Sequence, residues 1–272
     1  MTEDGKGRGW RTAIAGPEDD RIIVRGYDLN ELIGRLSFSE ALYLIQRGEL
    51  ATPGQARTID ALLVAVADHG IAPSSTVTRF LSASGVPVQV AVAGGLMTFG
   101  DIHGGASQAG ATLLQEAVAR AHADGISLAE AADATVAAAR ANRKPLDGFG
   151  HPQHPSGDPR VARLFEVAEA NGVAADHVAF QKLLQDSLEK ATGRRIPINI
   201  DGAVASIISD LGFDARYARP FMITARSVGL SAHALEEIDR EGGWRQIPLS
   251  EVTYDGPPLR SLPAGPSAEP KS

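Results

Sequence analysis

Residues 180–188 read FQKLLQDSL, and this stretch decides the fold class. Phe180, Leu183, Leu184 and Leu188 recur at positions i, i+3, i+4 and i+8, a spacing that places all four apolar side chains on one helix face. A half-buried strand would instead alternate apolar and polar residues. The spacing therefore predicts an amphipathic helix that packs one face against a core.

Helical signals continue on both sides of this stretch. Ser37-Phe-Ser-Glu40 and Ser127-Leu-Ala-Glu130 are capping boxes, in which the first and fourth side chains satisfy free backbone N–H groups at a helix start. Proline follows Thr52 and Asp158, as it often does in a first helical turn. Further helices are predicted at about 75–84, 87–99, 104–123, 201–211 and 214–240, with Gly70 ending the helix that starts at Thr52 and Pro220 bending the last one.

Strand signals are nearly absent. Only Ile22-Ile23-Val24 is a candidate strand, and no series of strands alternates with the helices. The sequence therefore predicts an all-α fold without a parallel sheet. The irregular segment Pro145–Asp158 is long for a compact domain, and such loops are usually functional or disordered.

The composition excludes several classes of protein. A formal net charge of −7 argues against a nucleic-acid binder, which needs a basic face. The absence of cysteine excludes disulfides and thiolate metal sites, and it fits a reducing cytoplasm. The apolar stretch 86–99 is too short to span a bilayer, and residues 1–11 lack the apolar core of a signal peptide. We therefore predict a cytoplasmic protein with no membrane partner.

Three short segments combine glycine with an ionisable residue: Gly100–Gly105, Gly148–Asp158 and Pro197–Gly202. Glycine lets a ligand approach the backbone closely, and a helix start offers N–H donors to anions. Each segment alone is weak, because a histidine beside glycines is more often structural and Asp201 could simply be an N-cap. Together they predict one functional site.

The residue types suit one reaction class. Removing a proton from the carbon next to a thioester carbonyl needs a base, and a partly desolvated carboxylate serves because its pKa rises. The enolate oxygen and the partner carbonyl each need a hydrogen-bond donor. Asp201, His103 and His151 meet this requirement, and the same set run backwards cleaves the bond.

The ordered motifs resemble the citrate synthase superfamily, particularly its short citryl-CoA lyase-like branch. The resemblance covers roughly Arg21–Pro248 and rests on the ordered combination more than on any one motif. The matching motifs are Arg25-Gly-Tyr-Asp28, Ser37-Phe38, Gly48-Glu-Leu50, Ala67-Asp-His69, His103-Gly-Gly-Ala106, Gly148-Phe-Gly-His151, Asp158-Pro-Arg160, Asn199-Ile-Asp201 and Ala225-Arg-Ser-Val-Gly229.

The resemblance implies a role for each matching residue. Asp201 would take the acyl-CoA α-proton, His103 would hold the enol oxygen, and His151 would donate to the keto-acid carbonyl or take the hydroxyl proton in cleavage. Carboxylates of the keto acid or citrate would be bound by His69, Arg160, Arg226 and, from the partner subunit, Arg245. Gly148, Phe149 and Gly150 would lie along the CoA chain.

The resemblance also implies an architecture. The fold would have two domains: a shortened large domain of residues 1–103 and 207–255 with a minimal N-terminal β segment, and a small domain of residues 104–206. The site would lie in the cleft between them, in a homodimer, with a CoA thioester as substrate and no tightly bound cofactor. Residues 256–272, rich in Pro, Ser and Gly, are predicted to be disordered.

Departures from the family pattern leave the direction of reaction open. Only Ala51–Ala67 separates two motifs that a long helical stretch joins in full-length synthases, as in the short lyase-type relatives. Yet the citryl-CoA lyase module of ATP-citrate lyase has phenylalanine where this chain has His103. Ser107-Gln108 replaces the usual Asn-Glu, which removes a charge. The chain is predicted to be a citryl-CoA lyase or a citrate or 2-methylcitrate synthase-type acyltransferase.

Two alternatives of other classes remain at the sequence level. His151, His154 and Asp158 could ligate a metal in a hydrolase, but Pro152 and Pro155 interrupt the helix that would align them. We therefore predict no metal. A non-catalytic CoA-ester-binding protein is the second alternative, and the retention of each ionisable residue that the reaction needs argues against it.

Overall fold

The N-terminal part forms a small antiparallel sheet in a computed structural model that describes residues 10–101, 103–150 and 157–262. Strands β1 (Ala15–Glu18), β2 (Arg21–Val24) and β3 (Tyr27–Asp28) lie in that order, with Ala15 opposite Val24. The predicted strand at Ile22–Val24 is therefore present, and β1 and β3 are short, exposed neighbours that carry no alternating apolar signal.

The rest of the described chain is helical, which confirms the all-α fold class. Both capping boxes predicted from the sequence are present, at Ser37 and Ser127, and Thr52 forms a third with Gln55. The helices are α1 (Leu29–Leu32), α2 (Phe38–Arg47), α3 (Pro53–Ala67), α4 (Pro73–Ala83), α5 (Val88–Leu96), α6 (Ala106–Asp124), α7 (Leu128–Ala141), α8 (Pro159–Ala170), α9 (Asp176–Thr192), α10 (Ile200–Asp210) and α11 (Ala218–Glu236).

Two local expectations are wrong. Pro220 does not bend a helix running from 214, because a separate 3₁₀ turn, Ala215–Tyr217, precedes α11 and Pro220 lies in the first turn of that helix. Proline is tolerated there because the first N–H groups of a helix have no intrahelical partner. Helix α3 ends at Ala67 with Asp68 as its C-cap in extended conformation, so Gly70, with φ of 71°, lies in the following turn.

The helices pack in two groups. Helix α11 lies against α3, α4 and α5, whereas α10 lies against α6, α8 and α9, and α7 packs on α6 and α9. Contacts of α3 with α8 and of α6 with α11 join the groups, and one buried apolar cluster extends from Leu42 to Ala225. The division into two domains stays a prediction. None of the described helices is long and apolar enough to cross a membrane.

Candidate active site

Asp201 lies in the first turn of α10, and it is not the N-cap of that helix. Asn199 occupies the N-cap position, where its side chain accepts a hydrogen bond from the Gly202 N–H at 3.1 Å. The Asn199 amide also donates to the Gly150 carbonyl at 2.8 Å. Because Asn199 satisfies the helix end, the Asp201 carboxylate is available for another role. The expectation that Asp201 could be a simple cap is therefore wrong.

The environment of Asp201 makes its carboxylate a stronger base than an exposed one. Burial raises the pKa of Asp201 to about 6; the Arg160 charge lowers it, Asp147 and Asp158 raise it, and the Ser107 backbone N–H lowers it. Within the described residues, the Asp201 Oδ1 atom is buried and has no hydrogen-bond partner. A desolvated carboxylate with one free oxygen is suited to accept a proton from a ligand near neutral pH.

The Gly148–Gly150 loop runs directly beside the start of α10. Gly150 donates to the Pro197 carbonyl at 2.8 Å and Asn199 donates to the Gly148 carbonyl at 3.0 Å, so the two segments are paired. A Cβ atom on Gly202 would lie 2.5 Å from the Gly148 oxygen, closer than real Cβ contacts allow. Glycine at Gly202 is therefore what lets the loop approach Asp201.

His103 lies in the turn that leads into α6. Its ring packs on Phe99 with a centroid distance of 4.9 Å, and Gly104, with φ of 77°, permits the tight turn against the same phenyl ring. Burial lowers the pKa of His103, and the Arg226 charge lowers it further. The imidazole is therefore neutral at pH 7. Its Nε2 atom is buried without a hydrogen-bond partner in the described part of the chain.

Arg160 and Arg226 converge on the last turn of α3. The Arg160 Nη1 donates to the Ala65 carbonyl at 3.2 Å, and the Arg226 Nε donates to the adjacent Val66 carbonyl at 3.0 Å. The negative end of a helix favours such cations. Arg226 is only 5% exposed; burial lowers its pKa, Asp68 raises it and Arg160 lowers it. The two guanidiniums are thus held near each other, and Arg226 also lies near His103.

Arg160 is oriented by a buried partner. Asp158, the N-cap of α8, binds the Arg160 guanidinium through both oxygens, with a 2.6 Å distance from Nη2 to Oδ2. The Asp158 side chain is fully buried and that of Arg160 is 19% exposed. A bidentate pair of this kind fixes the plane of the guanidinium.

Two predicted substrate-binding residues lie further along the same elements. His69 follows the C-cap of α3 and is half-buried. Arg245 lies beyond α11 and binds Glu237 through two nitrogens, with a 2.8 Å distance from Nη2 to Oε2. Within its own chain, Arg245 is therefore paired with Glu237, and its proposed delivery to a second subunit stays a prediction.

His151 and His154 lie outside the described residues. The catalytic role of His151 and the alternative metal site with Asp158 consequently stay predictions that this structure does not address. Among the residues that are described, no group of three or more His, Cys, Asp or Glu side chains could hold a metal ion.

Two contributors to the site were missed by the sequence reasoning. Phe99 supports the His103 ring and lies 6.0 Å beneath the Arg226 guanidinium, so it joins two candidate residues. Asp147 acts on the charge of Asp201, and its position directly before Gly148 was the only available signal. The contact of Phe99 with Arg226 and the effect of Asp147 on Asp201 both join segments that are distant in the sequence.

The described site unites three chemical capacities. Asp201 offers a desolvated base, His103 offers a neutral donor, and Arg160 with Arg226 offers a cationic surface for carboxylates. The electrostatic effects of Arg226 on His103 and of Arg160 on Asp201 show that these groups share one region. Such a set can remove or return a proton beside a carbonyl while an anionic partner is bound.

Comparison with known proteins gives two findings in agreement. Residues 51–246 match the family model described as citrate synthase, C-terminal domain. The citrate synthase of Deinococcus radiodurans is 30% identical over 207 residues, which cover 72% of this chain and 50% of that protein. The chain thus spans about half the length of the curated relatives it matches.

Solved structures match over nearly the whole chain. The citryl-CoA lyase from Hydrogenobacter thermophilus is 36% identical with a TM-score of 0.86, covering 94% of this chain and 98% of that one. An ATP citrate lyase from Methanosaeta concilii, solved with (3S)-citryl-CoA, is 20% identical with a TM-score of 0.77 and covers 91% of this chain and 42% of that one. The second likeness concerns the fold alone.

Proposed function

This chain belongs to the citrate synthase family, and from that premise we propose that it cleaves or forms the carbon–carbon bond of a citrate-type CoA thioester. The observation that carries the proposal is the buried, unpartnered Oδ1 of Asp201, on a carboxyl whose pKa is raised to about 6. A purely structural aspartate would have no reason to keep such an oxygen desolvated.

In the cleavage direction the proton movements balance as follows. A base takes the proton of the tertiary hydroxyl, a role that the family resemblance gives to His151. The bond between the carbinol carbon and the methylene carbon then breaks, releasing oxaloacetate and the enolate of acetyl-CoA. Neutral His103 donates a hydrogen bond to the enolate oxygen, and protonated Asp201 returns a proton to carbon. Condensation is the same sequence reversed.

The substrate carboxylates would bind to Arg160 and Arg226. Arg160 presents its guanidinium in a plane fixed by Asp158, and Arg226 is held by the Val66 carbonyl, so neither needs to reorganise when an anion arrives. The positive charges of Arg160 and Arg226 repel each other when no ligand is bound. A di- or tricarboxylate that binds both would offset this repulsion. This supports oxaloacetate or a citrate-like acid as the co-substrate.

Cleavage of citryl-CoA is the favoured direction. The lyase of Hydrogenobacter thermophilus is 36% identical to this chain with a TM-score of 0.86, whereas the citrate synthase of Deinococcus radiodurans is 30% identical. A second candidate is condensation of acetyl- or propionyl-CoA with oxaloacetate, followed by thioester hydrolysis. His103 favours it, because the resemblance associates histidine at this position with synthases.

A mass-spectrometric assay separates these activities. Purified protein is incubated with citryl-CoA and, separately, with oxaloacetate plus acetyl-CoA or propionyl-CoA. We expect citryl-CoA to give oxaloacetate and acetyl-CoA, and Asp201→Ala to lose this turnover while its circular dichroism spectrum stays that of the parent protein. Absence of turnover with all these thioesters, or full activity of Asp201→Ala, would contradict the proposal.

We also propose a homodimer formed through α4, α5 and α11. These helices leave large apolar side chains exposed, including Val228 at 67% and Met97, directly after α5, at 85%. Large apolar side chains exposed on three helices that pack together are suited to a protein interface. A cytoplasmic location and the absence of a tightly bound cofactor stay predictions from the sequence.

A further inference from the structure

Helix α11 presses directly on the segment that carries His69. The contact is made at Gly229, where an added Cβ atom would overlap the Ala67 carbonyl oxygen and lie 2.6 Å from the Asp68 Oδ2. Only glycine permits this approach between α11 and the end of α3. The position of Asp68, and of the backbone that leads to His69, therefore depends on the close packing of α11 at Gly229.

Two α11 side chains bind that segment, one turn before and one turn after Gly229. Arg226 donates from Nε to the Val66 carbonyl at 3.0 Å, and His233 lies with Nε2 3.1 Å from the Asp68 Oδ2. The other Asp68 oxygen accepts the Gly70 N–H at 2.7 Å. Residues on both sides of His69 in the sequence, Asp68 and Gly70, are thus held by hydrogen bonds.

The proton of His233 can be assigned from its second neighbour. Its Nδ1 lies 3.3 Å from the Arg79 Nη1, and arginine can only donate, so Nδ1 accepts and Nε2 carries the proton toward Asp68. The His233 side chain is 13% exposed, whereas the Asp68 carboxylate that it binds is 44% exposed. The interaction is therefore directional as well as electrostatic.

The chain of contacts continues to Arg245. Arg79 binds Glu236 at 2.8 Å and, through Nε, the fully buried Glu237 carboxylate at 2.7 Å. Glu237 is also the bidentate partner of Arg245. One hydrogen-bonded series, Asp68–His233–Arg79–Glu237–Arg245, consequently links the His69 segment to the Arg245 segment.

We propose that His233 is a positioning residue that fixes His69 for binding of the carboxylate co-substrate, acting through its hydrogen bond to Asp68. The inference rests on the proposed function and deepens it. His233 acts through Asp68 and is not assigned a contact with substrate. Losing the bond frees the Asp68–Gly70 turn, while Asp201 and the Gly148–Gly150 loop, on other elements, keep their geometry. Binding of the carboxylate co-substrate should therefore weaken, whereas binding of the CoA thioester should stay unchanged.

The test compares His233→Ala with the parent enzyme in the condensation assay, varying oxaloacetate and acyl-CoA separately. We expect the KM for oxaloacetate to rise about tenfold, which corresponds to about 1.4 kcal/mol of lost binding free energy, with the KM for acyl-CoA unchanged. His233→Gln should restore the KM, because the glutamine amide can donate from the same position.

The matched control is His122→Ala, which removes another His–Asp pair. His122 Nε2 lies 3.0 Å from the Asp176 Oδ2, at an exposed site remote from Asp68 in the fold, so its loss should leave both KM values unchanged. If His233→Ala does not fold, Asp68→Ala removes the same bond together with the one from the Gly70 N–H, and it must also raise the KM for oxaloacetate while leaving the KM for acyl-CoA unchanged. The double variant should be no worse than Asp68→Ala alone.

The outcomes separate this inference from the function it rests on. An active parent enzyme whose two KM values rise equally in His233→Ala, or do not change, would overturn the positioning role alone. Failure of His233→Gln to restore the KM for oxaloacetate would overturn it as well. A parent enzyme inactive with all thioesters tested would overturn the proposed function and this inference together.

Discussion

At the residue scale, the site depends on the different roles of Asn199 and Asp201, two residues that lie close together at the start of α10. Asn199 caps α10 and binds the Gly150 carbonyl, which leaves the buried Asp201 carboxylate without a capping task in α10. The sequence alone could not distinguish these roles, because aspartate and asparagine are both good N-caps. The difference follows from position: Asn199 precedes the helix, whereas Asp201 lies within its first turn.

The raised pKa of Asp201 predicts a pH dependence for proton exchange. Exchange of acetyl-CoA methyl protons with solvent, with malate bound in place of the keto acid, requires the ionised carboxylate. The rate should therefore fall as pH drops through about 6. Asp147→Asn removes a charge that raises this pKa, so its midpoint should move to lower pH. The exchange rate is followed by NMR in deuterated buffers.

The control for that profile is Asp186→Asn, which removes an equal charge from an exposed carboxylate paired with Arg195. It should leave the midpoint in place. An Asp147→Asn midpoint that stays at the parent value, or rises, would show that Asp147 does not act on Asp201.

The same pKa predicts that Asp201 destabilises the folded protein at neutral pH. Its folded pKa of about 6 lies above the ordinary 3.8, so the folded state binds the proton more tightly and stability falls as pH rises between these values. The cost above pH 7 is on the order of 3 kcal/mol, at about 1.4 kcal/mol for each pKa unit.

Asp201→Asn should consequently be more stable than the parent at pH 8, with an advantage that shrinks as pH falls below 6. Urea unfolding at pH 8 and pH 5, followed by circular dichroism, measures the difference. An asparagine variant that is less stable at pH 8 would mean that the carboxylate is held by interactions stronger than its desolvation.

At the element scale, helix starts were predicted better than the relations between helices. Ser37 and Ser127 carry local capping signals that need no tertiary information, and both are confirmed. The end of α3 was misplaced, because its C-cap Asp68 is bound by His233 from α11, and no local pattern reports a partner 165 residues away. Capping residues in the sequence thus predicted where these helices begin, whereas contacts with distant segments decide where α3 ends.

The close approach of Gly148 to Gly202 predicts that a methyl group added at Gly202 lowers both stability and activity. In Gly202→Ala the new Cβ would lie 2.5 Å from the Gly148 oxygen and 2.8 Å from the Gln181 Nε2, so the loop must shift. Overpacking of this kind costs about 1–3 kcal/mol, and moving the loop beside Asp201 should also lower turnover. Thermal unfolding and the citryl-CoA assay measure the two effects.

Gly110→Ala is the matched control, because it adds a methyl on the facing helix α6. There the nearest atom, the Ala205 Cβ, lies 3.4 Å away, an ordinary contact. Alanine is the better helix former by about 0.5–1 kcal/mol, so this variant should be slightly stabilised and fully active. Equal behaviour of the two variants would show that the Gly148–Gly202 contact does not position the site.

At the scale of the whole molecule, the order of motifs along the chain predicted more than their chemistry did. It indicated the family and the all-α fold, both of which are confirmed. It could not predict that Arg160 and Arg226 meet on consecutive carbonyls of α3, since Arg160 follows its acceptor Ala65 by 95 residues and Arg226 follows Val66 by 160. Such convergence is a property of the packed helices.

The exposed apolar face predicts that assembly and activity are linked. Val228 and Leu235, 67% and 51% exposed, lie two turns apart on one side of α11. Replacing both with glutamate should give a monomer in light scattering, because two charges would be buried in the interface. If Arg245 of the partner subunit completes the site, this monomer should also lose citryl-CoA turnover. Ile126→Glu, at a loop between α6 and α7, is the control.

A fully active monomer would contradict a role for the partner subunit, and an unchanged dimer would place the interface elsewhere.

The central claim is that Asp201 exchanges protons with the carbon next to the thioester. Deuterium incorporation into the methyl group of acetyl-CoA, in deuterated buffer near neutral pH with malate present, tests it most directly. The account predicts incorporation by the parent enzyme and at least about a hundredfold slower incorporation by Asp201→Asn, the loss typical of a removed general base. Equal incorporation by both proteins would contradict it.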